Sequence, residues 1–404
     1  MIARFKNVPA VDLLSQRAFR NLFFSNFTNN TGVELRMMAQ SWVILELGAS
    51  QFWVGAAMGL RVIPAIAIGL FAGVLVDRLG GRVILLWERI VLLALAILTA
   101  LVVMSDSLAL WQIVTLSIVS SAVLAMGMPA SQTLVRNYVP MNSLQAGNSL
   151  NTLAYSFARA GGPLLAGVLI GPFGLASPFF ALIVMYVLST GFTYRMPKDE
   201  PVTTGRASAI REMMDGLRFI RSNPVISRLS LLAFSVIFSA AFVPIMPVYA
   251  RERFDVGETG FSFMLAAWAI GQGASALWIS ARRDPDRRIP AVLIATVMFV
   301  IAVPTFALST NFSLTLFSLG LIGAAIPIWS SAVMALLQSQ TDSNMIGRVM
   351  SVYSLSLQMM MLGWFLGAWI GGIVGNSEMM LGGTAIYLVI HLSLIFTSPE
   401  LRKL

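Results

Sequence analysis

Residues 73–82 read Gly73-Val74-Leu75-Val76-Asp77-Arg78-Leu79-Gly80-Gly81-Arg82. This charged, glycine-rich turn stands between two long apolar blocks, 52–76 and 82–104. The glycines permit a tight turn, and Gly73 can let two helices approach closely. Asp77 can accept hydrogen bonds from the unsatisfied amides at a neighbouring helix N-terminus. Arg78 and Arg82 can bond helix C-terminal carbonyls or acidic loop residues. At a membrane edge, such a cluster can latch two halves of a protein together on the cytoplasmic side.

The blocks on either side set the fold class. Of 404 residues, 57% are hydrophobic and 11% charged, against roughly 25% charged in an ordinary soluble domain. The mean hydropathy is +0.81. That composition cannot coat a soluble globule. Apolar stretches near 20 residues match a hydrocarbon core about 30 Å thick at 1.5 Å per helical residue. The chain reads as an all-α polytopic membrane protein with twelve spans, at about 19–46, 52–76, 82–104, 108–134, 144–170, 173–194, 224–249, 259–281, 289–309, 311–337, 346–374 and 379–398.

An even number of spans puts both termini on one side. The connections on that side carry twenty of the 27 basic residues, among them Arg4, Lys6, Arg206, Arg282, Arg283, Arg287, Arg402 and Lys403. The opposite connections carry Arg251 and Arg253. Positive loops stay cytoplasmic, so both termini are expected there, in a bacterial inner membrane. The net charge of +9 is then topological, and no nucleic-acid partner is expected.

Other classes fall on the same reading. There is no cysteine, and the single histidine, His391, lies in the last apolar block. That argues against metal sites, thiolate nucleophiles and a nucleophile–base constellation. No Gly-Lys dipeptide occurs, so a phosphate-binding P-loop of the usual form is absent. No enzyme, metal or cofactor is expected, and uphill work must draw on an ion gradient.

The longest polar connection, 195–223, separates an N-terminal six-helix bundle, 1–194, from a C-terminal one, 224–404. A shift of 200 residues places Gly73 on Gly273, Arg82 on Arg282, Gly147 on Gly347, Gly167 on Gly367 and Gly171 on Gly371. Two parallel six-span repeats describe a transporter that rocks one half against the other.

The 73–82 segment resembles motif A of the major facilitator superfamily, and the resemblance covers nearly the whole chain. The stretches Ala146–Leu150 and Ala158–Gly167, with the Arg61-Val62-Ile63-Pro64 approach, are similar to the secretion-effector branch, which holds macrolide-efflux and enterobactin-exporter types. Gly162, Pro163 and Gly167 resemble in part the antiporter motif of helix 5, which implies a kinked pivot where the two halves pack. Two departures stand out. Leu277 replaces the Asp in the second motif A copy, and span 4 lacks the buried Arg often used for proton coupling. The resemblance implies a monomer in the bilayer, moving a small-molecule substrate and protons.

Charge within the spans marks the candidate site. Asn26, Asn29, Asn30, Glu34, Arg36 and Gln40 occupy an arc of about 160° on span 1, opposite Phe24, Leu35, Ala39 and Trp42. One face is expected to line a watery cavity. Glu34, Arg61 and Arg159 fall at one depth, about 22 Å from the cytoplasmic edge. Ionisable groups inside a membrane are costly and are paired or functional, so Glu34 is expected to pair with Arg159 or Arg61. Glu88-Arg89 reads as an interfacial pair supporting motif A. The second half offers Trp268, Gln272, Trp329, Gln358 and Trp364 as aromatic and amide contacts. The function expected is export of small amphipathic or hydrophobic compounds by proton antiport. Export of one metabolite such as a siderophore and a non-transporting scaffold are the alternatives.

Overall fold

A computed structural model describes residues 9–105, 107–140, 143–199, 209–281, 288–342 and 345–398. The basic residues Arg4, Lys6, Arg206, Arg282, Arg283, Arg287, Arg402 and Lys403 lie outside the described residues. The helices run α1 (Pro9–Ser15), α2 (Arg17–Glu46), α3 (Gln51–Gly59), α4 (Val62–Leu79), α5 (Gly81–Met104), α6 (Leu110–Tyr138), α7 (Leu144–Phe173) and α8 (Ser177–Tyr194). They continue with α9 (Ala209–Ser222), α10 (Pro224–Phe234), α11 (Val236–Ser239), α12 (Met246–Val248), α13 (Gly257–Ala281), α14 (Arg288–Leu308), α15 (Phe312–Gln340), α16 (Ile346–Val374) and α17 (Asn376–Phe396). No strand occurs among the described residues.

Among the described residues, eleven spans are long and apolar enough to cross a bilayer. The twelfth long helix, α2, misses that threshold because of its own composition. It runs 30 residues, and twenty of them are buried.

Two expected spans are interrupted. Span 2 breaks at Leu60-Arg61 between α3 and α4. Pro64 has no amide to give the Leu60 carbonyl, and a proline is tolerated only in the first turn of the helix that restarts. Span 7 reads from sequence as one helix but is built in pieces. After α11 come a tight 3-10 segment, Ala240–Ile245, then α12 and a wide turn, Tyr249–Arg253. Pro244 and Pro247 each remove a ladder hydrogen bond there.

By contacts the chain divides into two units, Met1–Leu47 with Ile63–Arg206, and Gly48–Val62 with Ala207–Leu404. Segment 48–62 groups with the second unit because α3 packs on α16. Its Gly59 faces the Met361 carbonyl and Phe365 without room for a side chain.

In the first unit α2 packs on α7, α8 and α6, while α5 packs on α6 and α8. Small polar side chains close the α2–α8 seam: Ser25 bonds Thr193 at 2.6 Å and Ser189 at 3.2 Å, and the Ser189 hydroxyl donates to the Ser25 carbonyl. Short hydroxyl residues of this kind let helix backbones close up in lipid. At one end, Leu22, Ile84, Leu85, Leu134 and Met196 form an apolar cluster.

In the second unit α15 packs on α13 and α14, and α17 on α14. The break in span 7 is tied down at Ala307, near the end of α14. Its carbonyl accepts from the Tyr249 hydroxyl at 3.3 Å, from Ser377 at 2.9 Å and from the Arg253 guanidinium.

Candidate functional site

The first unit holds a partly open cavity of about 780 Å³ walled by α2, α5, α6 and α7. That volume lies within the range of small-molecule sites, roughly 300–1,000 Å³. Three of its walls carry amide or hydroxyl side chains among apolar ones such as Leu124, Met128 and Val135. Asn26, Asn29 and Asn30 come from α2, Ser131 and Gln132 from α6, and Asn148, Asn151 and Thr152 from α7. Fifteen residues lie between Asn30 and the end of α2 at Glu46, so the asparagines sit within the helix rather than at its frayed end.

Glu88 and Arg89 of α5 form the charged part of the wall. Each is 2% exposed, and the Arg89 guanidinium lies 2.5 Å from Glu88 Oε2. Arg89 also donates to Asn26 Oδ1 at 3.3 Å, and Asn26 Nδ2 donates to Ser131 Oγ at 2.8 Å. This chain of bonds ties α5 to α2 and α2 to α6. Gly127 makes it possible, because a methyl group there would lie 2.7 Å from Glu88 Oε1. The pair is buried inside the unit and faces the cavity, with α5 packed against α6 and α8.

The one-sided arc expected on α2 is corrected. Asn26, Asn29 and Asn30 line the cavity, but Glu34, Arg36 and Gln40 are buried together with Leu35, Ala39 and Trp42 on the other side. Three neighbours, α6, α7 and α8, pack on α2 and bury residues on both of the faces distinguished from sequence. Arg36 Nη2 and Gln40 Nε2 have no hydrogen-bond acceptor among the described residues.

Helix α7 runs unbroken through Pro163. A methyl at Gly162 would fall 2.8 Å from the Thr31 carbonyl oxygen, 2.9 Å from Glu34 Cβ and 2.9 Å from the Leu35 nitrogen. The approach that Gly162 permits is thus to α2 of its own unit. Pro163 and Gly167 are buried beside it. Arg159, one turn earlier on the same face, lies over the Tyr155 ring at 5.8 Å, and Tyr155 lines the cavity.

Around motif A the structure adds a residue that sequence reading missed. Gly80 has φ +86°, the left-handed conformation that glycine adopts freely. The next two amides point at Asp199. Gly81 N donates to Asp199 Oδ2 at 2.6 Å and Arg82 N to Asp199 Oδ1 at 3.0 Å. A carboxylate on the first amides of α5 satisfies orphan donors and meets the positive end of the helix. Arg82 donates to the Tyr194 carbonyl at 2.8 Å, at the C-terminus of α8. Asn21 and Tyr138 donate to the carbonyls of Arg195 and Pro197. Segment 194–199 thereby fastens α2, α5 and α6. Asp77 is half-buried and Arg78 exposed, while a methyl at Gly73 would meet nothing within 4 Å, so no close helix approach depends on that glycine here. Asp199→Ala is expected to lower stability by about 1 kcal/mol, the usual cost of a lost helix cap. An unchanged unfolding midpoint in detergent would refute the cap.

The second unit holds a smaller cavity of about 190 Å³ with a mainly apolar wall that includes Phe299, Trp329, Leu357, Met360 and Tyr387. Trp329 Nε1 donates to His391 Nε2 at 3.0 Å, so His391 carries its proton on Nδ1 and donates it to the Tyr387 carbonyl at 2.9 Å. Both ring nitrogens are thereby occupied. Trp268 is 2% exposed, edge-on to Phe242 at 5.9 Å, and packs rather than lining either cavity. Gln272 and Gln358 are half-buried on α13 and α16, Trp364 is buried on α16, and Arg61 is buried in the segment that groups with the second unit.

A helical membrane bundle with a polar cavity and an internal ion pair has the make-up of a solute transporter. The chain belongs to the transmembrane secretion effector family of the major facilitator superfamily, whose sequence profile matches residues 9–403. The multidrug resistance protein MdtG of Dickeya zeae is 28% identical over 357 residues, covering 82% of this chain and 83% of that one. Macrolide efflux protein A of Streptococcus pyogenes is 23% identical over 380 residues, 91% of this chain and 92% of that one. Among solved structures, the nucleoside transporter NupG matches with a TM-score of 0.74 at 12% identity, covering 94% of this chain and 98% of that one. That last likeness is one of fold.

Proposed function

We propose that this membrane transporter exports small amphipathic or hydrophobic compounds by alternating access, driven by proton antiport, from a bacterial inner membrane with both termini cytoplasmic. The observation that carries the reading is the cavity of about 780 Å³ in the first unit, walled by membrane helices and lined by amide and hydroxyl groups among apolar side chains. Relatives named for multidrug resistance and macrolide efflux support the outward direction.

Glu34 is the proposed proton site. It is 7% exposed in the middle of α2. Gly162 abuts its Cβ, and Arg159 lies one turn from Gly162 on the same helix face, which favours Arg159 as the partner. Protonating Glu34 removes the charge that holds such a pair, and a transporter needs a step of that kind to couple proton entry to substrate release.

The test is proton movement in proteoliposomes of the purified protein with candidate compounds added, comparing wild type with Glu34→Gln. Substrate-dependent proton movement that disappears in the variant is expected. Full movement with an unchanged pH dependence in Glu34→Gln would remove Glu34 from the coupling. No movement with any compound would remove proton antiport.

A further inference from the structure

The cavity of the first unit has a chemistry that says more than transport in general. Its formal charges cancel where they are buried, since Glu88 and Arg89 hold each other. The remaining charge on the wall, Arg136, is exposed. An ion entering this space gains from one member of the pair what it loses to the other, and still gives up its hydration. The neutral polar groups are a different matter. Asn29, Asn30, Gln132, Asn148, Asn151 and Thr152 present amide and hydroxyl groups to the space. A ligand that displaces their water without replacing its hydrogen bonds loses free energy that a matching ligand keeps.

A hydroxyl group suits such a wall better than any other neutral group. It donates one hydrogen bond and accepts two, so it satisfies a carboxylate or amide oxygen and equally an amide or guanidinium N–H. Several hydroxyls on one rigid frame meet several of these groups together. The Tyr155 ring, 43% exposed at the same cavity, adds a flat apolar surface for the C–H face of such a frame.

We propose that this cavity receives an uncharged, hydroxyl-rich part of the exported compound, a glycosyl or polyol group, read by Asn29 and Asn151. The proposal rests on the export reading and names the substrate class of the same site. Leu124, Met128, Val135 and Leu144 of the same wall meet the apolar remainder of an amphipathic compound, so the amides are what select the hydroxylated end.

The chain contains no cysteine, so Gln132→Cys supplies a unique reporter on the cavity wall. The purified variant in lipid nanodiscs is labelled with N-ethylmaleimide in the presence of 4-methylumbelliferyl β-glucoside, the corresponding glucuronide, or 7-methoxy-4-methylcoumarin, which has the ring but no hydroxyls. The glucoside is expected to slow labelling at least fivefold, and the methoxycoumarin less than twofold. Adding Asn151→Ala is expected to raise the half-protecting glucoside concentration about tenfold, the effect of one well-placed hydrogen bond. Asn148→Cys is a second reporter should Gln132→Cys fold poorly.

Equal protection by glucoside and methoxycoumarin overturns the proposal, as does protection that survives Asn151→Ala. Stronger protection by the anionic glucuronide replaces it with an anion site, and a wall closed to maleimide in both reporters also overturns it. Labelling needs no ion gradient. Protection with no proton flux therefore counts against the transport mechanism alone, and flux without protection counts against this inference alone.

Discussion

Arg89→Met is expected to cost about 3–5 kcal/mol of stability, the scale on which removing one partner of a buried pair leaves the other charge uncompensated. The remaining carboxylate, Glu88, is 2% exposed and pressed against Gly127, so it cannot turn out to water. Asn26 loses its contact with Arg89 in the same step. The double variant Glu88→Gln with Arg89→Met is expected to recover most of that loss, because a neutral amide carries a far smaller desolvation cost. The check is a double-mutant cycle on unfolding midpoints in detergent. A single Arg89→Met variant that unfolds with the wild type would show that the pair is solvated and not part of a sealed wall.

A valine at position 162 is expected to be nearly as damaging, for a different reason. Gly162→Val drives three carbon atoms into a space where a methyl alone already falls within 3 Å of a backbone oxygen, a backbone nitrogen and Glu34 Cβ. Flexible side-chain ends can move aside, but helix backbone cannot, so α7 must shift away from α2. Overpacking of this kind costs about 1–3 kcal/mol, and it displaces Arg159 and Glu34 relative to each other. Loss of transport with a lowered unfolding midpoint is the expected result. The control is one residue away: a methyl at Gly161 meets nothing within 4 Å, so Gly161→Ala is expected to behave as wild type. Equal effects at the two positions would sink the close-packing account.

What could be read in advance follows from the physics that governs each feature. Apolar blocks reveal spans because a bilayer forces backbone polar groups into helices and lipid-facing side chains into hydrocarbon. The asparagines of span 1 stood out because polar residues are expensive in that setting. The interruption of span 7 was present as Pro244 and Pro247, yet a window of mean hydropathy passes over two prolines. Glu88-Arg89 was visible as a pair, but its depth depended on Gly127, 38 residues further along and on another helix. Asn148, Asn151 and Gln132 were overlooked because each is an ordinary polar residue until three helices bring them to one space. Asp199 gave no local sign either. Its carboxylate caps α5 from across the fold, 117 residues from Arg82, and nothing in the adjacent sequence records such a distant contact.

The polarity of α2 has a bearing on how the protein is made. A helix carrying Asn26, Asn29, Asn30, Glu34, Arg36 and Gln40 gains little by partitioning alone into lipid, yet it leaves the ribosome before the helices that cover it. The helices that cover it most, α7 and α8, end at Phe173 and Tyr194. At a synthesis rate of about 5–20 residues per second, their arrival lags α2 by roughly 7–30 s. For that interval the polar helix must be sheltered by the insertion machinery, so its buried asparagines and charges make the biogenesis of the protein depend on an escort.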